Sequence, residues 1–290
     1  PQASDLVVDR LQRISGGASR QTYRFCLTWT EAGARRTRRL ILRRDPPASL
    51  IDTERRIEFE AYRAFHGSAV PVPEMLWLEE GTGPLDHPFF IAEEISGYEA
   101  APAVLWSEAY LPVHAALAER KWTILGQIAR ADPVALGLDQ VMTPVAPADC
   151  WSRELGHWEA ILDKDATEPL PIARAAIRWL KANPPPPPPR VSVVHGDYRT
   201  GNFLFAPDGQ IHGILDWEMA HLGDPLEDLG WSLNPVWSSG RGLAGGLVPE
   251  PEAVAIWSQS SGQSVDPAAL HWWTLFNCIK GQAIWISSAR

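Results

Sequence analysis

The sequence predicts a two-lobed α/β (α+β) molecule, with a small antiparallel-sheet lobe over residues 1–92 and a larger helical lobe over residues 93–290. Three observations carry this. Up to Ala92 the apolar residues fall in short runs bounded by Gly, Pro and charge clusters, the pattern of strands. From Pro112 onward they recur at three and four, the pattern of helices. At 290 residues the chain also exceeds the usual size of one domain, and its 45% hydrophobic and 21% charged residues are ordinary for a globular body.

The first strands are LQRIS (11–15), QTYRFCLTW (21–29) and RRLILRR (38–44). Between the first two lie Ser15, Gly16, Gly17, Ala18 and Ser19. Small residues let backbone N–H groups approach phosphate oxygens, so this is a candidate anion cradle, although a hairpin turn with no ligand reads the same way. In the third strand, alternation puts Ile41 and Arg43 on one face and Leu40, Leu42 and Arg44 on the other. Arg43 is the candidate phosphate-pairing cation; a solvated Arg on an edge strand is the alternative. Asp52 to Phe65 forms an amphipathic helix with Glu58, Ala61, Tyr62 and Phe65 on one face. That apolar stripe favours Glu58 over Glu54 and Glu60 as the partner of Arg43. A Gly/Pro loop (81–88) leads into the buried strand FFIA, after which Glu93, Glu94 and Ile95 fall at the junction of the lobes.

The second lobe opens with a helix from Pro112 to Asp132, followed by helices over 151–164 and 170–182. Pro184 to Pro189 form a stiff extended connector. In LGDPLEDLGW (222–231), Asp224 at the N-cap, Pro225 at N1 and Glu227 at N3 read as the start of a helix, and Asp228 is placed to brace the preceding loop from behind.

The chemistry concentrates in HGDYRTGNFLF (195–205) and GILDWE (213–218). Asp197, Asn202 and Asp216 stand in the order H-x-D-x-x-x-x-N then apolar-D, which is that of a phosphoryl-transfer catalytic loop and metal segment. Such chemistry needs positioning of a hydroxyl, a triphosphate and magnesium more than covalent help. Asp197 is the expected base. Asn202 and Asp216 are the expected Mg2+ ligands, because that ion takes oxygen donors. FLF (203–205) and IHGIL (211–215) read as strands joined at Pro207, Asp208 and Gly209, a hairpin that brings Asn202 and Asp216 together. His195 is expected to brace the loop, with a His site built from His195, His212 and His221 as the alternative. Glu218 reads as a salt-bridge carboxylate or as a metal ligand through water.

These motifs resemble the aminoglycoside phosphotransferase and choline kinase family, of protein-kinase-like fold, whose loop reads H-G-D-x-x-x-x-N and whose metal segment reads I-D-W/F-E. HGDYRxGN, ILDWE and GDPxxDLGW together resemble the phosphotransferase-like domains fused to some acyl-CoA dehydrogenases. The resemblance runs from about Ser15 to Trp273. It implies ATP and Mg2+ as cofactors and a small-molecule hydroxyl as acceptor: an aminoglycoside, an amino alcohol, or a hydroxy acid or hydroxyacyl thioester. It implies a phosphate-covering loop at Ser15–Ser19, adenine recognition at Glu93, Glu94 and Ile95, and Arg where kinases hold a phosphate-pairing Lys. Asp216 is followed by Trp217 and Glu218, not by the Phe-Gly of protein kinases. A nucleotide-binding kinase-like module without turnover is the rival reading.

A net charge of -9 argues against nucleic-acid or anionic-membrane partners. No apolar run reaches membrane-spanning length, PQASDLVVDR has no signal-peptide pattern, and Cys26, Cys150 and Cys278 form no disulfide or metal spacing, so a cytoplasmic enzyme is expected. Of the 14 tryptophans, Trp272 and Trp273 are expected in the core and others along an acceptor pocket, with the segment 238–249 covering it.

Overall fold

The computed structural model describes residues 3–14, 21–45, 55–81, 83–238 and 240–289. Five antiparallel strands form one sheet in the order β1-β2-β3-β5-β4: Ser4–Ile14, Gln21–Glu31, Ala34–Arg44, Phe89–Glu93 and Met75–Glu79. The β2–β3 hairpin is longer than its apolar alternation indicates, pairing without a break from Gln21↔Arg44 to Glu31↔Ala34. Its turn explains the extension. Ala32 and Gly33 both have positive φ, 50° and 76°, the two-residue geometry whose twist matches that of paired strands, so Ala34 and the polar residues 30–31 and 35–37 are carried into the ladder. β1 likewise starts at Ser4, well before the expected Leu11, and bends where Asp5 and Arg10 take positive φ. Ser15, Gly16, Gly17, Ala18 and Ser19 lie outside the described residues.

Helix α1 (Arg55–Phe65) packs Phe59, Tyr62 and Phe65 toward the sheet residue Phe90 and toward Trp217. Beyond β5 the chain is mostly helical: α2 (His114–Arg130), α3 (Cys150–Asp165), α4 (Pro171–Ala182), α5 (Leu226–Leu233), α6 (Glu250–Ser261) and α7 (Pro267–Ser288). Two short pairs sit among them, β6 (Ser192–Val194) with β9 (His221–Gly223), and β7 (Phe203–Phe205) with β8 (Ile211–Ile214). One apolar core runs from α1 through α2 and the β7–β8 hairpin to Trp257; a second joins α3, α4 and α7, with Trp272 and Trp273 buried in it as expected. The architecture is the two-lobed kinase-like fold.

The start of α5 differs from expectation. Pro225 precedes the helix and Asp224 Oδ1 accepts from Leu226 N at 2.9 Å, so Asp224 caps it, while its Oδ2 accepts from Trp273 Nε1 at 3.0 Å. Glu227 does not fold back to complete a capping box. It is buried and bonded to Lys280 and His221, because two cations in the interior hold a carboxylate more strongly than one backbone N–H does.

Candidate active site

The β7–β8 hairpin is built as the sequence predicts: Gly209 N donates to Ala206 O, Gln210 N to Asp208 Oδ1, and Gly209 has φ 77°. At its open end Leu215 N donates to Asn202 O at 2.8 Å, which sets Asn202 beside the backbone that carries Asp216. Asn202 and Asp216 line one cavity of about 470 Å3. Asp216 itself has φ 68°, a left-handed conformation that Asp tolerates better than most residues, held by a 2.7 Å bond from its N–H to Tyr62 Oη. Trp217 is buried against Phe65 and His195 with ring centroids at 4.9 and 4.6 Å, so the residue after the carboxylate is a core anchor joining α1 to the loop.

Arg43 crosses from the sheet to this carboxylate. Its guanidinium donates to Glu58 Oε1 at 2.5 Å and to Asp216 Oδ1 at 3.1 Å, and it stands 3.9 Å from Glu218 Oε2. The Arg43–Glu58 pairing is therefore formed; Glu60 pairs with Arg63, and Glu54 lies outside the described residues. β3 is flanked by β2 and β5, which removes the reading of Arg43 as a solvated edge-strand residue. Glu218 takes the salt-bridge role beside Arg43. Burial raises the Asp216 pKa, but Arg43 outweighs it and holds the carboxyl below its usual range.

Glu93, Glu94 and Ile95 line the same cavity. The N–H groups of Glu93 and Glu94 already donate to Glu74 O and Arg39 O, and the Glu94 carboxylate receives a two-pronged bond from Arg39 at 2.9 and 3.0 Å. The two glutamates thus shape the sheet margin through protein bonds, which leaves Ile95 as the first residue past the ladder.

Asp197 lies behind the cavity wall, 16% exposed. Its Oδ1 accepts from Trp231 Nε1 at 2.8 Å, its Oδ2 from Asn202 Nδ2 at 2.7 Å, and Arg199 Nε is 3.1 Å from both oxygens. Since the Asn202 nitrogen is taken by Asp197, its carboxamide oxygen is the atom left to serve the cavity. Burial raises the Asp197 pKa, opposed by Arg199 and by the Asn202 and Trp231 bonds. Trp231 and Trp237 pack at 5.1 Å, and the Arg199 guanidinium stacks over Trp237 at 5.0 Å.

The loop is fixed from beneath. His195 accepts from Asp197 N on Nδ1 at 3.1 Å and donates from Nε2 to Leu215 O at 3.0 Å, a neutral tautomer consistent with burial pushing its pKa down to about 4. Asp228 accepts from the N–H groups of His195 and Gly196 at 2.6 and 2.9 Å, the bracing position expected for it. Gly196 has φ 86°, and a Cβ there would lie 2.4 Å from Met219 O, so only glycine fits the turn into Asp197. Lys280 of α7 donates to Gly196 O at 2.6 Å and to Glu227 Oε1 at 2.9 Å.

The histidines do not assemble. His212 bonds Asp208, and His221 sits between Met219 O, Glu227 and Glu154. Among the described residues, Glu154, His221 and Glu227 are the one cluster with metal-ligand spacing. Here both His221 nitrogens face acceptors, so it is an imidazolium with no lone pair to give a metal. Burial lowers its pKa, but Glu154 and Glu227 dominate and lift it to about 9. Because the folded value exceeds the unfolded one of roughly 6.5, the contribution is complete below that pH and is lost as pH rises through about 9. Relative to His221→Gln, the wild-type denaturant midpoint is expected to fall as pH rises from about 7 to about 10; parallel curves would refute the assignment.

Arg199, Tyr62 and Lys280 are the site residues that sequence reasoning does not single out, whereas Trp231 is one of the tryptophans expected along an acceptor pocket and is found bonded to Asp197. Arg199 and Trp231 stand inside the quoted motifs, and Lys280 is marked only as a lone charge in an apolar helix.

An arginine of the sheet paired with a glutamate of α1, two oxygen donors at the open end of a hairpin and a braced aspartate define a kinase-type phosphotransferase scaffold. The chain belongs to the phosphotransferase enzyme family, whose family model matches residues 10–273. It is 28% identical over 200 residues to acyl-CoA dehydrogenase family member 10 of Mus musculus, covering 67% of this chain and 18% of the relative. It is 25% identical over 279 residues to a probable acyl-CoA dehydrogenase of Arabidopsis thaliana, covering 86% and 32%. The chain thus spans about a fifth to a third of those relatives. Among solved structures, a putative aminoglycoside phosphotransferase of Ralstonia eutropha superposes with a TM-score of 0.73 at 21% identity, covering 98% of this chain and 82% of that one. Aminoglycoside phosphotransferase APH(4)-Ia, in ternary complex with AMP-PNP and hygromycin B, superposes with a TM-score of 0.59 at 19% identity, covering 97% and 93%. No described helix is long and apolar enough to cross a membrane.

Proposed function

We propose that the chain is an ATP- and Mg2+-dependent small-molecule kinase that moves the γ-phosphoryl group to a hydroxyl of its acceptor. The observation that carries this reading is the meeting of Asn202, Asp216 and the Glu58-anchored Arg43 at one cavity, with Asp197 bonded to Asn202 behind it. In this reading the smaller lobe comprises residues 1–92 and the larger one begins at Glu93, the last residue of β5, and the cavity lined from both has the volume of a small-molecule site. Ile95 N–H meets the adenine edge, Arg43 pairs with the phosphates, and Ser15–Ser19 cover them.

The donor set fits magnesium: one carboxylate held ionised by Arg43, and one carboxamide whose nitrogen is occupied elsewhere. Bound there, the ion neutralises phosphate charge. Asp197 orients the acceptor hydroxyl and takes its proton as the new O–P bond forms and the bond to the β-phosphate breaks, releasing ADP. The acceptor enters on the Arg199, Trp231 and Trp237 side. Relatedness to acyl-CoA dehydrogenase family members favours a hydroxy acid or hydroxyacyl thioester over an aminoglycoside. Nucleic acid and membrane are not partners in this reading, and the free thiols suit a reducing cytoplasm.

With AMP-PNP present, Asp216→Asn is expected to weaken Mn2+ binding about tenfold or more by electron paramagnetic resonance, and unchanged binding would remove the metal assignment. The activity is tested by ATP-dependent phosphorylation across aminoglycosides, amino alcohols, hydroxy acids and hydroxyacyl thioesters. Nucleotide binding without transfer to any of them favours the non-catalytic module.

A further inference from the structure

The carboxylate of Asp197 is fully engaged. Oδ1 holds Trp231 Nε1 at 2.8 Å, Oδ2 holds Asn202 Nδ2 at 2.7 Å, and Arg199 Nε lies 3.1 Å from both oxygens. An ionised carboxylate has about four lone-pair sites, so a hydroxyl that is to give its proton to Asp197 must first displace one of these donors. Trp231 and Asn202 are buried, one on α5 and the other at the foot of the β7–β8 hairpin. Arg199 makes the longest contacts of the set, and its side chain is 30% exposed. It is the donor that can leave.

The side chains on either side of it are tied down. Tyr198 Oη donates to the O of buried Lys121 at 2.7 Å, and Thr200 Oγ1 donates to Gly245 O at 3.4 Å. Gly245 lies so close over Lys121 that a Cβ on it would come 2.3 Å from Nζ, so this backing is tightly packed. Arg199 faces the other way. It is not among the residues lining the cavity of Asn202, Asp216 and Arg43; its guanidinium lies over the Trp237 ring at 5.0 Å, and a Cβ on Gly201 would come 2.3 Å from its Nη1. Among the described residues Nη1 and Nη2 have no hydrogen-bond partner, and neither has the buried Nε1 of Trp237. A permanently charged fork with two nitrogens unpaired suits a planar carboxylate and repels a polycation.

On the basis of the kinase reading above, we infer that Arg199 is the specificity residue for the acceptor and a latch on the base. It holds Asp197 until an acceptor with a free carboxylate, a few atoms from its hydroxyl, takes the guanidinium in a two-pronged bond and leaves Asp197 open to that hydroxyl. One ion pair replaces another, so the exchange costs little. The acceptor class is a free hydroxy acid, not its thioester and not an aminoglycoside.

The experiment measures binding first, by ligand-observed NMR without nucleotide, using 2-, 3- and 4-hydroxybutyrate and their amides against wild type, Arg199→Gln and Arg199→Lys. Wild type is expected to bind at least one acid about tenfold more tightly than its amide, Arg199→Gln to bind the two alike, and Arg199→Lys to recover part of the preference. Acid and amide bound equally by wild type, a preference that survives in Arg199→Gln, or binding of none of the three acids overturns the assignment. With ATP and Mg2+ present, Arg199→Gln is expected to raise KM for the acid about tenfold or more and to change kcat less than about threefold. A fall in kcat at unchanged KM would make Arg199 a support of Asp197 and overturn the reader. The two readings fail separately. Binding of the acid through Arg199 with no transfer to any acceptor would sink the kinase and keep the carboxylate site, whereas transfer to an acceptor without a carboxylate, unaffected by Arg199→Gln, would sink the reader and keep the kinase.

Discussion

Asp197→Asn is expected to lower turnover about 100- to 10,000-fold while the protein stays folded. Asparagine keeps the shape of the side chain and an oxygen for Trp231 Nε1, so the loop keeps its brace from Asp228 and Lys280. It cannot take a proton, and it places no charge against Arg199. The pH profile separates this from a structural effect. Burial raises the Asp197 pKa, so the acidic limb of kcat/KM is expected above the ordinary carboxylate range, and it is expected to vanish in the variant. Near wild-type turnover at saturating ATP and acceptor would remove Asp197 from the base role.

Lys280→Met is expected to be the most destabilising single change, by about 3–5 kcal/mol, which lowers Tm by on the order of 10 °C. The change strips the ammonium from Glu227 Oε1 and Gly196 O, all of it in the interior. Glu227 is held at about 2 by Lys280 and His221 against the upward push of burial, so without Lys280 its charge faces only His221. Removing both partners is less costly than removing one, so Glu227→Gln combined with Lys280→Met is expected to recover part of the loss. Chemical denaturation of the three variants measures this, and additive losses would show that the pair does not act as a unit.

Much of this arrangement is legible in the residues. The Asn202–Asp216 hairpin follows from two short apolar runs around Pro-Asp-Gly, and the Arg43–Glu58 pair follows from alternation on one element and a helical stripe on the other. What is not legible depends on long-range partners. Glu227 has the spacing of a capping residue, and only its neighbours His221 and Lys280 give it another use. Residues 34–37, an alanine followed by three polar residues, carry no strand signal of their own and are paired because the turn before them forces it. Lys121 looks like one more surface lysine on an amphipathic helix, and its burial depends on a glycine 124 positions away in the chain.

The anchoring of Gly196 by Lys280 has a consequence for where this molecule can be divided. The family is recognised up to residue 273, yet the ammonium that secures the turn into Asp197 comes seven positions later, on the fourth turn of α7. The stretch that identifies the family and the stretch that holds its reactive loop in place are different lengths of chain. A cut at the recognised boundary would keep every motif and discard the bolt beneath them.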